Sequence, residues 1–403
     1  MLLELIGKKM DINKQIRARD GQQWIYDYLM RTTGRAIHFE IDGRQLPSSV
    51  KSIKMAAKYL AKKAEKAERL ANLSKLDGDL ISAKILYRKA SEMYREAQHF
   101  TVPIISDFRW QLYDKCLLCA SELYKLSENK VLKVYLESEI GPIPALWHVF
   151  ESQEEVPAVV FIPGMDNTKE NYPNPLENEF HMRGMHVLSV DGPGQGEMLK
   201  SGVFVTPDNH VVVAKAAYEF LAQQKSVNEN KIGICGRSFG TFWSMRAAAA
   251  EPRFAALAGA VACYYWENLT IFDEAPIRFK QIFMEMAGMQ SEEQFDKMTE
   301  QLSLKPDVGN ISCPTLMATG EFDPLSPLED ADAIFNHINA PKEMWVFEDE
   351  FHPIRTPEAL SGHGIFHYIA SWMKKALDDE FVKGFSKRRF ISKNGNGMFD
   401  EIP

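Results

Sequence analysis

The sequence predicts an α/β protein in which a helical region precedes a mostly parallel, doubly wound sheet. The chain has 403 residues, more than the roughly 250–300 at which a single core stops growing, so we expect two units. From residue 48 to 126, apolar or small residues recur every three or four positions, which is the helical period. After residue 128, short β-rich runs alternate with turns and helical stretches, as in α/β folds.

The helical region comes first along the chain. Its amphipathic stretches predict three or more long helices between Ser48 and Leu126. We find no second copy of any stretch at a fixed period, which argues against a repeat array. We therefore assign residues 1–127 to an N-terminal helical cap domain.

Residues 128–380 are predicted to form the sheet domain, with eight strands. The first two strands form an antiparallel hairpin around Gly141-Pro142, and six β-α units follow: VPAVVFIPG, MHVLSVDGPG, NKIGICGRS, FAALAGAVACYY, CPTLMATGEFD and EMWVFEDE. About residues 266–305, after strand six, a long Phe- and Met-rich helical segment predicts a lid insertion. The polar residues 381–403 predict a C-terminal tail, mobile or in an extended arm.

Composition indicates which partners the protein is expected to lack and which cellular compartment it is expected to occupy. The net charge of −8 and the isoelectric point near 5.8 provide no basic field for nucleic acid or an anionic membrane, so we expect neither. The sequence shows no secretory signal and no run of roughly 18 apolar residues. Five cysteines are few and odd in number, which favours a reducing compartment and a cytoplasmic location.

The strongest chemical motif is Gly236-Arg237-Ser238-Phe239-Gly240. It follows the strand-like KIGIC and precedes the helix-like TFWSMRAAAA. A strand, a sharp turn and a helix in that order form a nucleophile elbow, which raises a serine hydroxyl above the sheet at a helix N-terminus. We predict that Ser238 is a catalytic nucleophile.

A serine nucleophile needs a base and an acid that orients the base. Asp323 follows strand seven and His352 follows strand eight, which gives the chain order Ser, acid, His of this kind of site. Glu321 is the competing acid, and we prefer Asp323 because it lies further into the loop beyond the strand end. The competing histidines, His363 and His367, fall four residues apart on the predicted last helix, where packing is the expected role.

An oxyanion needs two preorganised donors. The backbone N–H groups of Phe239 and Met165 are predicted for this role, Met165 because it lies in the loop after strand three beside Gly164.

The glycine-rich turn 191–197 has no phosphate-loop spacing and is interpreted as a rigid turn beside the site. Cys116-x-x-Cys119 has no second cysteine pair or histidines nearby in the sequence, and His363-x-x-x-His367 lacks the glutamate of a metalloprotease helix. We therefore predict no metal and no cofactor.

Three segments together resemble a family of α/β-hydrolases: 163–170, 191–197 and 236–240. That family includes 2,6-dihydroxypseudooxynicotine hydrolase, fermentation-respiration switch proteins and fungal polyketide-shortening hydrolases. The resemblance implies an α/β-hydrolase fold, the same triad, and hydrolysis of carbon–carbon bonds flanked by carbonyls, with the helical cap and the lid covering the site. It also implies a substrate-assisting role for an acidic residue after strand six, which here would be Glu267.

The expected activity is therefore cleavage of a carbon–carbon bond next to a carbonyl in a β-dicarbonyl, aromatic or polyketide-like substrate. Tyr264, Tyr265 and Trp266 are expected to line an apolar pocket for this small molecule. A carboxylesterase or thioesterase with the same triad is an alternative. So is a protein-binding regulator that acts through its helical surface, and a homodimer is left open.

Overall fold

The computed structural model describes residues 46–399, except 48, 102, 104, 262, 267–269, 274–277, 324, 353, 355, 358–359 and 361. It confirms the predicted α/β-hydrolase fold, with a helical region before a mostly parallel sheet. Residues 1–45 of the predicted cap domain lie outside the described residues.

Three helices form the described part of the helical region: Ile53–Leu76 (α1), Leu80–His99 (α2) and Asp107–Leu126 (α3). Side chains of Ser52, Asp79 and Ser106 cap their N-termini by accepting backbone N–H bonds. α1 buries a row of alanines, which lets α2 pack closely against it. No described helix combines the length and the apolar character needed to cross a bilayer.

The described sheet has nine strands in the order β1-β2-β4-β3-β5-β6-β7-β8-β9. β2 is antiparallel to both β1 and β4, as the predicted hairpin requires, and the other neighbours are parallel. The strands are Lys130–Leu136 (β1), Ile143–Val149 (β2), Val156–Ile162 (β3), His186–Val190 (β4), Val227–Arg237 (β5), Ala256–Ala260 (β6), Thr315–Gly320 (β7), Lys342–Phe347 (β8) and Ser386–Ile391 (β9).

The predicted count of eight strands is one too few, because β9 comes from the segment that we assigned to the tail. β9 pairs in parallel with β8, from Lys342 opposite Ser386 to Phe347 opposite Ile391. Its Lys-Arg-Arg run hides the strand in the sequence, yet an edge strand tolerates charge because one side faces solvent. Arg389 forms an ion pair with Glu343, which is almost fully buried on β8.

Helices cover both faces of the sheet and create two apolar cores. Asn209–Ala222 (α5), Phe239–Ala250 (α6) and Leu328–His337 (α10) pack on one face, and Ile365–Leu377 (α11) packs on the other. A short helix, Gly196–Lys200 (α4), follows β4. This arrangement brings the carboxyl ends of the parallel strands to a single edge, where α/β proteins place their sites.

The segment between β6 and β7, predicted as a lid, is helical where it is described. It contains Thr270–Asp273 (α7), Arg278–Met286 (α8) and Glu292–Thr299 (α9). The Arg278 guanidinium donates hydrogen bonds to the carbonyls of His99 and Thr101, at 2.9 and 2.7 Å. The segment therefore contacts the C-terminal end of α2 directly.

Candidate active site

The turn from β5 to α6 holds Ser238 in a strained conformation. Its backbone has φ 53° and ψ −128°, a region that residues other than glycine rarely adopt. The Ser238 N–H donates to the carbonyl of Ala260 at 2.9 Å. A Cβ on Gly240 would lie 2.3 Å from the Ile162 carbonyl oxygen, and one on Gly236 would lie 2.2 Å from that of Gly240. Only glycine fits both positions, and we call residues 236–240 the elbow.

The structure brings Ser238, His352 and Asp323 together. The Ser238 Oγ atom lies 3.0 Å from Nε2 of His352, and Nδ1 of the same ring lies 3.1 Å from Oδ2 of Asp323. This geometry suits the tautomer in which Nδ1–H donates to the carboxylate and Nε2 accepts from the serine. The side chain of Asp323 is fully buried, and its other oxygen accepts the Leu325 N–H at 2.9 Å.

The competing residues lie in other arrangements. Glu321 accepts the backbone N–H of Asp349 at 2.9 Å, which directs its carboxylate to the turn after β8. His363 and His367 stack on each other, with ring centroids 4.1 Å apart at the start of α11. The geometry therefore favours Asp323 as the acid and His352 as the base.

Residues 163–170, the loop after β3, approach the elbow closely; we call them the donor loop. A Cβ on Gly164 would lie only 3.2 Å from the Cβ of Ser238. Within the described residues, the backbone N–H groups of Met165 and Phe239 have no hydrogen-bond acceptor. An oxyanion hole requires two backbone donors that are not used elsewhere in the fold, and these two groups meet that condition.

Gln195, in the turn after β4, holds the donor loop through hydrogen bonds. The sequence analysis did not identify this residue. Its Oε1 accepts the Gly192 N–H at 3.0 Å, while Nε2 donates to the carbonyls of Gly164 and Met165 at 2.6 and 3.3 Å. These bonds turn both carbonyls toward Gln195. The sequence shows only a glutamine within the turn 191–197, and nothing in it indicates that this side chain contacts the donor loop.

A buried ionic network anchors the C-terminal end of the donor loop. Lys169 is fully buried and contacts Glu170, Asp191 and Glu197 at 2.7, 2.8 and 2.7 Å. Burial works against its charge, but Asp191 and Glu170 outweigh that effect and hold the pKa of Lys169 well above its usual value. Tyr113 of α3 donates to Asp191 at 3.2 Å, so the helical region takes part in the network.

The helical region also contacts the middle of the donor loop. Nδ1 of His99 lies 2.5 Å from Oδ2 of Asp166, and Arg95 donates to Oδ1 of Asn167 at 2.9 Å. Both partners belong to the last turns of α2. The donor loop is thus held from α2, α3 and the turn after β4.

The four residues predicted near the substrate lie in different places. Tyr264 is fully buried, and its hydroxyl donates to the carbonyls of Gly259 and Ala318, which is a core position. Tyr265 donates to Sγ of Cys263 at 3.3 Å, and that sulfur lies 3.8 Å from the Ser238 Oγ, so Tyr265 is close to the nucleophile. Trp266 is partly buried, and its ring centroid lies 4.4 Å from that of His337, with the two rings tilted by 38°. Glu267 lies outside the described residues.

Comparison with known proteins identifies relatives of the chain. The sequence profile of the prolyl oligopeptidase family matches residues 179–380. The 2,6-dihydropseudooxynicotine hydrolase of Paenarthrobacter nicotinovorans is 28% identical over 204 residues, covering 49% of this chain and 53% of that enzyme. The chain therefore aligns with only about half the length of this relative. The α/β-hydrolase xenA of Xenoacremonium sinensis is 25% identical over 359 residues, covering 79% of this chain and 80% of its own.

Solved structures share the fold across nearly the whole chain. The crystal structure of 2,6-dihydroxy-pseudo-oxynicotine hydrolase superposes with a TM-score of 0.71 at 23% identity, covering 90% of this chain and 99% of that one. The structure of AbyA5 superposes with a TM-score of 0.58 at 16% identity, covering 82% and 94%. The superpositions span the helical region as well as the sheet.

Proposed function

The chain belongs to the prolyl oligopeptidase family of α/β-hydrolases and is an enzyme, and we propose that it is a serine hydrolase with Ser238 as nucleophile. The observation that carries this proposal is the continuous relay from Ser238 Oγ through His352 to Asp323, at 3.0 and 3.1 Å. The strained elbow and the two unused N–H groups support it.

In this mechanism His352 accepts the Ser238 proton as Oγ attacks the substrate carbonyl. Asp323 stabilises the resulting imidazolium, and the N–H groups of Met165 and Phe239 stabilise the oxyanion. The tetrahedral intermediate collapses to an acyl-enzyme, and His352 protonates the leaving group. Water, activated by the same histidine, then releases the acid and restores Ser238.

We propose a β-dicarbonyl compound, aromatic or polyketide-like, as the substrate class. Breaking a carbon–carbon bond requires a leaving carbanion, and a second carbonyl stabilises it as an enolate that His352 protonates. Support comes from the resemblance of the three loop segments and from the relative whose name specifies a pseudooxynicotine substrate. Ester or thioester hydrolysis uses the same residues and is the second candidate.

A fluorophosphonate probe tests the nucleophile. We expect stoichiometric labelling of the wild-type protein and none of Ser238→Ala, whose melting temperature should stay close to that of wild type because the hydroxyl adds no core packing. Unlabelled wild-type protein would contradict the hydrolase mechanism and favour the regulator.

A pair of substrates tests the bond that is cleaved. With 1-phenyl-1,3-butanedione, we expect an acid and a ketone as products, and a higher kcat/KM than with ethyl benzoate. Turnover of the ester alone would replace carbon–carbon hydrolysis by esterase activity while keeping the assignment of Ser238.

A further inference from the structure

Arg109, in the first turn of α3, is a buried cation that has no hydrogen-bond acceptor in the part of the chain that the structure describes. Its side chain belongs to a residue that is 8% exposed, and its Nε atom is buried without a hydrogen-bond partner. Within the described residues, its guanidinium forms neither an ion pair nor a hydrogen bond, and approaches only the ring of Trp110, at 5.6 Å. A buried charge left uncompensated is strongly unfavourable, so an anion that reached Arg109 would relieve this cost.

The charged groups around Arg109 do not neutralise it. Burial, followed by the neighbouring charge of Arg278, lowers its pKa to about 10, and the carboxylates of Glu285 and Asp166 offset this only in part. Each carboxylate has another partner: Asp166 meets His99 at 2.5 Å, and Glu285 accepts the Ile105 N–H at 2.8 Å. Arg109 therefore stays protonated at neutral pH, and none of the described carboxylates is dedicated to it.

The position of Arg109 connects it to the nucleophile. Asp166 belongs to the donor loop, next to Met165, and that loop approaches Ser238 so closely at Gly164 that an added Cβ there would lie 3.2 Å from the Cβ of Ser238. Arg278 and Glu285 belong to α8, which contacts the end of α2. Arg109 thus lies where the helical region, the donor loop and the segment after β6 meet.

A second cation flanks the same loop. Arg237 immediately precedes Ser238, is partly buried, and has no hydrogen-bond acceptor or ion pair among the described residues. Its charge also interacts with Asp166. Two guanidinium groups thus interact with Asp166 of the donor loop, alongside Glu285 near Arg109 and Glu96 near Arg237, and neither forms an ion pair with a described residue.

We propose that Arg109 binds a carboxylate of the substrate, so that the compound hydrolysed at Ser238 is a carbonyl acid rather than a neutral ketone or ester. This inference rests on the proposed serine-hydrolase function. A carboxylate matches the two parallel N–H donors of a guanidinium and would supply the counter-ion that the described residues do not.

Two matched esters test the proposal. Mono-4-nitrophenyl glutarate and 4-nitrophenyl valerate have acyl chains of equal length that end in a carboxylate and a methyl group. We expect wild-type kcat/KM to be at least about tenfold higher for the glutarate ester, the effect of one charge-assisted hydrogen bond. Arg109→Met should remove this preference while leaving valerate hydrolysis within about threefold, and Arg109→Lys should restore part of it.

Arg88→Met is the control, because Arg88 is a partly exposed arginine on α2 that pairs with Glu92; the preference should persist in that variant. Equal hydrolysis of the two esters by wild type, or an unchanged preference in Arg109→Met, would overturn the carboxylate site while leaving Ser238 as nucleophile. Absence of both hydrolysis and fluorophosphonate labelling would instead refute the serine-hydrolase function itself.

A measurement on the wild-type protein keeps the proposal falsifiable if the Arg109 variants do not fold. Glutarate should slow fluorophosphonate labelling of Ser238 in a saturable manner, whereas the neutral analogue glutaramide at the same concentrations should not. Equal protection by the two compounds, or by neither, would overturn the assignment of Arg109.

Discussion

The elbow and the donor loop meet at Ser238, but they are fixed in different ways. The elbow is held by backbone packing, since Gly236 and Gly240 lie too close to neighbouring main-chain atoms for any side chain. The donor loop is held by side chains from distant segments, namely Gln195, Arg95 and His99. The position of the proposed nucleophile is thus encoded within the sheet, whereas the position of the proposed oxyanion donor depends on side chains from the turn after β4 and from the helical region.

The strongest test concerns the acid that completes the relay from the elbow. Asp323→Asn should lower kcat by roughly 10³- to 10⁴-fold, because an amide stabilises the wrong tautomer of His352 and cannot balance its charge. Glu321→Gln is the matched control, since Glu321 bonds the turn after β8, and it should keep most of the activity. Steady-state kinetics of both variants measure this difference in kcat. A larger loss of kcat in Glu321→Gln than in Asp323→Asn would mean that Glu321 is the acid.

Gly240→Ala tests whether backbone packing fixes the elbow. The added methyl would meet the Ile162 carbonyl oxygen at 2.3 Å, so α6 must shift and displace Ser238. We expect kcat to fall about a hundredfold and the free energy of unfolding to fall by about 1–3 kcal/mol. Gly309→Ala is the control, because no atom lies within 4 Å of the added Cβ. It should change neither kcat, measured in activity assays, nor the free energy of unfolding, measured by urea unfolding. Equal behaviour of the two variants would show that the elbow is adaptable.

Gln195→Leu tests the donor loop, whose carbonyls at Gly164 and Met165 would lose their shared donor. Because loss of a single oxyanion donor lowers kcat by about 10²- to 10³-fold, a misplaced donor should lower it by about 10- to 100-fold. KM should change little, and Ser238 should still react with fluorophosphonate, though more slowly. A change confined to KM would assign Gln195 to substrate binding instead.

Arg95→Met tests the contribution of the helical region and should have the smallest effect. The variant loses the 2.9 Å bond to Asn167 while Asp166 keeps its contact with His99. We expect kcat to fall by about three- to tenfold, as for the loss of one net hydrogen bond of 0.5–1.5 kcal/mol. Arg88→Met on the same helix should match wild type. Identical kcat values for the two variants would mean that α2 does not position the donor loop.

The sequence predicted what local patterns encode. The strand, turn and helix around Ser238 follow one another along the chain, and Asp323 and His352 come directly after strands. Chain order alone was therefore enough to predict that these three residues form one site. Gln195, Asp166 and Asn167 could not be recognised in this way. Their roles depend on contacts with residues many positions away, and nothing in a single sequence shows which polar side chain meets which loop.

β9 and Arg109 illustrate two further limits. β9 carries a basic run and lacks the apolar alternation of a half-buried strand, so its pairing depends on the free edge of β8 and on the buried Glu343. Arg109 lies in an amphipathic helix, where an arginine is normally solvated. Its burial arises only when α3 packs beside α8 and the donor loop, a tertiary arrangement that helical periodicity does not show.

The outer strands of the described sheet have a consequence for self-association. A free strand edge presents unpaired N–H and C=O groups, to which another copy of the chain could add its own strand. Here β1 carries Lys130 and Lys133, and β9 carries Lys387 and Arg388. Lys133 and Arg388 form ion pairs with Glu197 and Asp332, so joining two copies edge to edge would disturb these pairs and bring basic residues of the two copies together. The basic residues that hid β9 from sequence analysis thereby oppose the addition of strands from other copies, which would extend the sheet into a fibre.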